Sequence, residues 1–213
     1  MKRAIFSVAA LAVCLALPAP AVAHPHVWVA ARTSVLFDKD GRIIGLRNVW
    51  TFDEMYSAFA TQGLGKDGKP PTREDLQPLA QTNVDSLKEF DYFTFAKQGG
   101  RKLAFQPPSD FWLDADDKKV VSLHFTLLLK EPADARIFSF QEYDPTYFVA
   151  FGFEKKDPVA LKDASPGCSV SVMDPAPLLA AESQKLSAAA SDNFSPGADL
   201  ASRVAPRVVV ACQ

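Results

Sequence analysis

The chain has 213 residues, of which 23 are Lys or Arg and 25 are Asp or Glu, and its formal net charge is −2. This balance leaves no basic surplus for binding nucleic acid, so we expect no nucleic-acid partner. The 48% share of hydrophobic residues and the 23% share of charged residues are ordinary for a globular domain.

The N-terminal segment has the three parts of a secretory signal peptide: a positive start, an apolar core over residues 6–17 and an Ala-x-Ala cleavage site that ends at Ala23. The apolar core is too short to cross a membrane, so we expect residues 1–23 to be removed and no membrane span to be retained. The alternative is an uncleaved N-terminal anchor. Cleavage predicts a periplasmic protein of a Gram-negative-type cell, with residues 24–213 as a single domain.

The first elements of the exported part read as a hairpin followed by two helices. Residues 26–37 and 42–52 have strand patterns on either side of an Asp-Lys-Asp-Gly turn, which predicts a long hairpin. Asp53 is placed to cap a helix over residues 54–63. Thr72 and Asp75 form a variant of the capping box, which predicts the start of a second helix.

From residue 90 onward the pattern changes to short strands separated by turn residues. The predicted strands cover residues 90–96, 101–105, 111–114, 120–129, 135–140 and 148–153. A helix near residues 178–190 and an apolar run at 208–210 complete the chain. These elements predict an α+β fold, an antiparallel β-sheet or sandwich with a long N-terminal hairpin and two inserted helices.

The cysteines agree with export. Cys14 lies in the signal segment, which leaves Cys168 and Cys212 in the exported part. In an oxidising compartment such a pair predicts one disulfide bond. The alternative is a metal or redox pair, for which Cys-x-x-Cys spacing is more typical.

The chain contains three histidines, His24, His26 and His124. Cleavage after Ala23 would place two imidazoles and a free α-amine within three residues of each other. Strand alternation puts His26 on the same face as Trp28, and it puts His124 on the polar face of its own strand. If those two strands are neighbours, the two rings would lie within a few ångströms of each other. The alternatives are a surface position for His124 and a frayed terminus for His24.

These histidines, with one carboxylate, would suit a four-coordinate transition-metal site, because imidazole nitrogens prefer zinc, nickel and copper over calcium and magnesium. Asp53 and Asp144 are the carboxylates that we predict as further metal ligands. Asp53 has its helix cap as the alternative role. Asp91, which is flanked by aromatic residues, is expected to be partly buried, and Glu142 is a further carboxylate that could complete or orient the site.

Four motifs together resemble one family of periplasmic proteins. They are His-Pro-His-Val-Trp-Val at 24–29, Trp-Thr-Phe-Asp-Glu-Met-Tyr-Ser-Ala-Phe at 50–59, Ser-Leu-Lys-Glu-Phe at 86–90 and Tyr-Asp-Pro-Thr-Tyr-Phe at 143–148. Over about residues 24–170 the chain is similar to the family catalogued as domain of unknown function 1007, which includes zinc-uptake proteins of the ZevA type. The resemblance implies that the family's histidine motif falls on His24 and His26 and its Leu-His-Phe-Thr segment on His124.

The resemblance also implies a partner, because members of this family are commonly paired with a nickel/cobalt-type membrane permease. We therefore expect a periplasmic accessory protein that captures a divalent ion, Zn²⁺ or Ni²⁺/Co²⁺, and works with such a permease. We expect no enzyme activity, since the chain has neither a Gly-x-Ser-x-Gly nucleophile elbow nor a glycine-rich phosphate loop. Two alternatives remain: a copper-binding histidine brace at His24 with a redox role, and an interaction module that binds no metal.

Overall fold

The computed structural model describes residues 26–65, 67–108, 110–192 and 196–213. The predicted signal peptide and His24 lie outside the described residues. The strands are β1 Val27–Phe37, β2 Ile43–Phe52, β3 Thr94–Gln98, β4 Arg101–Lys102, β5 Phe111–Ala115, β6 Val121–Ala133, β7 Phe138–Glu142, β8 Val149–Phe153, β9 Val159–Lys162, β10 Ser169–Met173 and β11 Arg207–Ala211. The α-helices are α1 Glu54–Ala60, α2 Arg73–Leu87, α3 Ala180–Asp192 and α4 Ala198–Val204.

The first sheet contains the predicted N-terminal hairpin and has the strand order β5-β6-β2-β1-β8, with β9 also pairing with β1. β1 and β2 are antiparallel, and their register runs from Val29 opposite Phe52 to Phe37 opposite Ile43. β8 and β9 both pair with β1 in parallel. The predicted α+β fold is confirmed, but these parallel pairs were not predicted, because strand direction depends on the path of the connections rather than on local sequence pattern.

The second sheet has the order β10-β11-β7-β3-β4, and its neighbouring strands are all antiparallel. Alternating apolar side chains from both sheets form a core between them, in which Val35 and Leu46 of the first sheet join Phe140 and Val208 of the second. Each of these side chains is at most 1% exposed. Burying one such side chain contributes about 1.5–3 kcal/mol, so this layer is a main source of stability.

α1 and α2 lie between β2 and β3 in the chain, as the two predicted inserted helices. Thr72 and Asp75 form the predicted capping box at the start of α2. Leu76, Ala80 and Val84 recur every four residues and are buried in a second core cluster against the first sheet. No helix in the described ranges has the length and apolar composition that crossing a membrane requires.

The predicted strand at residues 90–96 is wrong in its first half. A 3₁₀ helix occupies Lys88–Phe93, and β3 begins only at Thr94. Asp91, Tyr92 and Phe93 have φ values of 52°, 53° and 49°, which lie far from extended backbone. Tyr92 and Phe93 are only 7% and 8% exposed, so the aromatic pattern reflects burial of a turn rather than a strand.

Two smaller predictions also need correction, and three elements were not predicted. The strand predicted at 135–140 begins with a 3₁₀ helix at Ala135–Ile137, and only β7 is extended. The helix predicted at 54–63 ends at Ala60. β9, β10 and α4 were not predicted, because their segments are short and carry weak periodicity.

The disulfide between Cys168 and Cys212 is confirmed. The two cysteines lie at the paired ends of β10 and β11, which are antiparallel neighbours. The apolar run at 208–210 forms the middle of β11, which lies between β10 and β7 in the second sheet. The C-terminal segment is therefore an interior strand that the disulfide ties to its neighbour.

Candidate functional site

His26 lies at the start of β1, at the end of the first sheet where β1 meets β8. Its backbone N–H donates to the carbonyl of Phe148 at 2.9 Å. Its ring is 4.8 Å from the ring of Phe148, and the residue is exposed. The burial pattern of β1 alternates as predicted, so His26 and the exposed Trp28 share the outer face. His26 is thus an accessible imidazole on an anchored strand.

Asp53 joins the start of β1 to the start of α1. One carboxylate oxygen accepts the backbone N–H of Tyr56 at 2.8 Å, which is the predicted helix cap. The other oxygen accepts the backbone N–H of Trp28 at 2.8 Å. Both oxygens therefore hold backbone, and the carboxylate positions the strand that carries His26.

Asp144 has a similar role on the other side of β1. It is 2% exposed, and its carboxylate accepts the backbone N–H groups of Thr146, Phe148 and Val149 at 2.7–3.0 Å. It also accepts the Thr146 hydroxyl. This carboxylate shapes the turn that leads into β8, whose first residues lie beside His26. A buried carboxylate that accepts four hydrogen bonds stabilises the turn and offers little free surface for an ion.

His124 does not lie near His26, which corrects the arrangement expected if their strands were adjacent. β2 separates β1 from β6 in the sheet. His124 is opposite Val49 of β2, and Val49 is opposite Arg32 of β1, six residues along the strand from His26. At about 3.3 Å per residue this places the two histidines about 20 Å apart. They cannot ligate the same ion.

His124 instead belongs to a stacked cluster on the outer face of the first sheet. Its Nε2 is 3.1 Å from a carboxylate oxygen of Asp114, and its ring lies parallel to that of Trp112, with centroids 4.7 Å apart. The guanidinium of Arg73 lies 4.8 Å from the Trp112 ring centroid and 3.7 Å from Asp114. These contacts fix the orientation of the His124 ring without a metal ion.

No group of three or more His, Cys, Asp or Glu side chains suited to a metal ion occurs in the part of the chain that the structure describes. A three-ligand site would therefore need donors from outside those residues. His24 and the predicted α-amine lie there, and only Pro25 separates His24 from His26 in the sequence.

Asp91 does not meet the expectation of partial burial, because it is exposed. Besides Asp144, the carboxylate of Glu142 is buried: it is 1% exposed and lies between the two sheets. Its two oxygens accept the Thr33 hydroxyl and the Trp50 indole N–H, both at 2.7 Å. Burial raises the pKa of the Glu142 carboxyl to about 7, and these two hydrogen bonds offset part of the rise.

Asn48 adds a second unusual polar group to this core. It lies directly opposite Thr33 in the β1–β2 register and is fully buried. Neither atom of its side-chain amide has a hydrogen-bond partner among the described residues. Strand alternation could have placed Glu142 inside, because it shares a face with Phe138 and Phe140, but the identity of its partners depends on the packing of the two sheets.

Large apolar side chains are exposed around the end of the sheet that carries His26. Trp28 is 58% exposed, and Phe148, which contacts the His26 ring, is 47% exposed. Met55 and Phe59, one turn apart on α1, are 71% and 76% exposed. α1 begins directly after Asp53, the residue that binds the Trp28 backbone. Exposed apolar side chains in one neighbourhood are typical of a contact surface for another molecule.

Comparisons with known proteins agree on a family but give no activity. A family model described as "Protein of unknown function (DUF1007)" matches residues 9–212. An uncharacterized protein of Haemophilus influenzae is 24% identical over 157 residues, which cover 72% of this chain and 74% of that protein. A second relative, described as an uncharacterized 15.5 kDa protein in the trpE 3′ region of Spirochaeta aurantia, is 33% identical over 90 residues, which cover 42% of this chain and 64% of the relative.

Proposed function

We propose that this chain, which belongs to the family of proteins of unknown function DUF1007, is a periplasmic accessory protein that captures a divalent transition-metal ion and passes it to a membrane permease of the nickel/cobalt type. The observation that carries the proposal is the position of His26. This exposed imidazole lies at an anchored strand start, two residues after another histidine in the sequence. Imidazole donors favour Zn²⁺, Ni²⁺ or Co²⁺.

The proposed ligands are the ring of His26, the ring of His24 and the α-amine that signal cleavage would expose. Asp53 and Asp144 act as positioning residues, because their carboxylates bind the backbone of β1 and of the turn before β8. Side chains that orient a ligand from outside the coordination sphere contribute substantially to metal affinity. His124 is not a ligand of this site, since β2 and several residues of strand separate it from His26.

Such a site suits transfer rather than storage. His26 is held by the sheet, whereas the remaining proposed ligands, His24 and the α-amine, precede it in the sequence, so the sheet supplies only one of the proposed donors. The exposed Trp28, on the same face of β1 as His26, and the exposed Phe148, which contacts the His26 ring, offer a partner an apolar contact next to the ion. These features support a hand-over to a permease that binds this end of the molecule.

The test is a calorimetric titration of Zn²⁺ and Ni²⁺ into protein that begins with His24. His26→Ala should weaken binding by more than about 100-fold. A residue that only orients a ligand costs about 10–100-fold when it is removed, so a larger loss indicates a direct ligand. His124→Ala is the matched control and should leave the affinity unchanged. Adding one alanine ahead of His24 should also weaken binding, because it moves the α-amine away from the two rings. Binding should weaken as the pH falls, because the ligands must be deprotonated.

Equal affinity of wild type and His26→Ala would refute the proposed site. Loss of binding in His124→Ala alone would refute it as well, because the ion would then lie at the cluster of His124 and Asp114.

A further inference from the structure

A cavity along the second sheet lies apart from His26. It has a volume of about 530 Å³ and lies among β3, β4, β7, the first turn of α4 and the crossing segment after β4. This volume falls within the range of small-molecule sites. We call it the basic groove and define it by Phe95, Lys97, Lys102, Lys130, Tyr143 and Arg207.

An aromatic pair forms one wall of the basic groove. The rings of Phe95 and Tyr143 lie 4.2 Å apart at an interplanar angle of 24°, and both side chains are half-buried. Phe95 is in register with Gln141 of β7, which is in turn opposite Arg207 of β11, so Phe95 and Arg207 lie on one face of the sheet. The aromatic pair of the groove and the guanidinium of Arg207 thus lie on the same face of the second sheet.

The groove carries several cations that form no salt bridge with the described residues. Lys97 and Lys102 are directly opposite each other across β3 and β4. Like charges in directly opposite positions destabilise a strand pair. Neither lysine, nor Lys130 or Arg207, forms a salt bridge with any carboxylate in the part of the chain that the structure describes. An anion seated between Lys97 and Lys102 would relieve this repulsion.

Two carboxylates line the other end of the groove. They are Asp199 and Asp91. Burial, the larger cause, acts together with the negative charges of these two carboxylates to raise the pKa of the Tyr143 hydroxyl. The groove is therefore positive at the β3–β4 hairpin and negative near Tyr143. A ligand that fits must carry its negative charge at one end only.

We infer that the basic groove binds a small planar organic anion, whose ring packs against the stacked pair of Phe95 and Tyr143 and whose sulfonate, phosphate or carboxylate group lies between Lys97 and Lys102. The recognition combines stacking on an aromatic platform with charge-assisted hydrogen bonds from the lysines. This inference is independent of the proposed metal site, since none of its residues is a proposed ligand.

The test uses naphthalene-2-sulfonate as the probe in calorimetric titrations at low ionic strength. Wild type should bind it saturably at one site, whereas inorganic sulfate and 2-naphthol, which carry only the charge or only the ring, should bind at least about tenfold more weakly. Lys97→Gln/Lys102→Gln should weaken probe binding by at least about tenfold. Lys155→Gln/Lys156→Gln, which removes the same charge from an exposed turn between β8 and β9, is the matched control and should bind as wild type does.

The aromatic platform is tested separately. Tyr143→Ala should weaken binding of the probe, while Tyr143→Phe should retain it, because the phenyl ring preserves the stacking surface. The far-ultraviolet circular dichroism of each variant verifies folding. Absence of saturable binding to wild type, or equal losses in the two double-lysine variants, would overturn the inference.

Discussion

Replacing Glu142 by glutamine should remove a pH dependence of stability that this buried carboxyl imposes on the protein. The carboxyl is 1% exposed, and its pKa of about 7 lies well above the ordinary value of 4.5. Glutamine has nearly the same shape as the protonated acid and can still accept the Trp50 indole N–H. Glutamine carries no charge at any pH, so the difference in the free energy of unfolding between the two proteins measures the cost of ionising Glu142.

The direction of the effect follows from the raised pKa in the folded state. Below pH 4.5 the carboxyl is protonated in both the folded and the unfolded chain, and its full contribution to stability is present. As the pH rises toward 7, the unfolded chain releases this proton more readily than the folded protein, so the free energy of unfolding decreases. Above pH 7 both states are ionised and the decrease stops.

The magnitude follows from the two pKa values. Each tenfold change in proton affinity corresponds to about 1.4 kcal/mol, so the interval from 4.5 to about 7 is worth about 3 kcal/mol in total. Between pH 5 and pH 8 wild type should lose about 2–3 kcal/mol relative to Glu142→Gln. Urea unfolding of both proteins across this pH range measures the difference directly, since the midpoint multiplied by the slope gives the free energy.

The matched control is Glu131→Gln, which alters an exposed glutamate on β6 and should follow the wild-type curve. If the stability curves of wild type and Glu142→Gln run parallel from pH 5 to pH 8, Glu142 does not titrate there and the reasoning is refuted. A carbon-13 signal of the Glu142 carboxyl that titrates with a midpoint near 4.5 would refute it independently.

Two further predictions concern stability. Asp144→Ala should lower the free energy of unfolding by about 3–5 kcal/mol in urea titrations, because it leaves several buried donors without an acceptor. The exposed Asp117→Ala is its control and should stay within about 0.5 kcal/mol of wild type, and a similarly small effect of Asp144→Ala would contradict the assigned role. Cys168→Ser/Cys212→Ser should destabilise by up to about 4 kcal/mol, since the disulfide closes a sequence separation of 44 residues. Scanning calorimetry should then show a lower Tm than oxidised wild type, and an unchanged Tm would exclude a stabilising disulfide.

Local pattern predicted much of the fold. The N-terminal hairpin and the capping box at Thr72 follow from short stretches of sequence, the disulfide between Cys168 and Cys212 follows from the cysteine count, and all three are present. The aromatic segment at residues 90–93 was wrongly predicted as a strand, because buried aromatic side chains occur in turns as well as in strands. Periodicity records which side chains are buried and carries less information about the backbone that buries them.

In the candidate site, too, local features were predicted correctly and contacts between distant residues were not. His26 lies on the predicted outer face of its strand, and Asp53 is the predicted helix cap. The second hydrogen bond of the Asp53 carboxylate, from the backbone N–H of Trp28, joins residues that are 25 positions apart in the sequence. It could not be predicted from spacing. Asp144 was predicted as a metal ligand from its turn, and the structure shows its carboxylate occupied by that turn instead.

The sequence by itself determined which side chains face inward along β1 and β6, where α1 and α2 begin and which cysteines pair, because these depend on local periodicity, capping and composition. Only the tertiary structure decided that β2 separates His26 from His124 and that Glu142 meets Thr33 and Trp50 across the two sheets. Strand order and sheet packing join residues about 100 positions apart, and such contacts depend on the whole core rather than on any one segment.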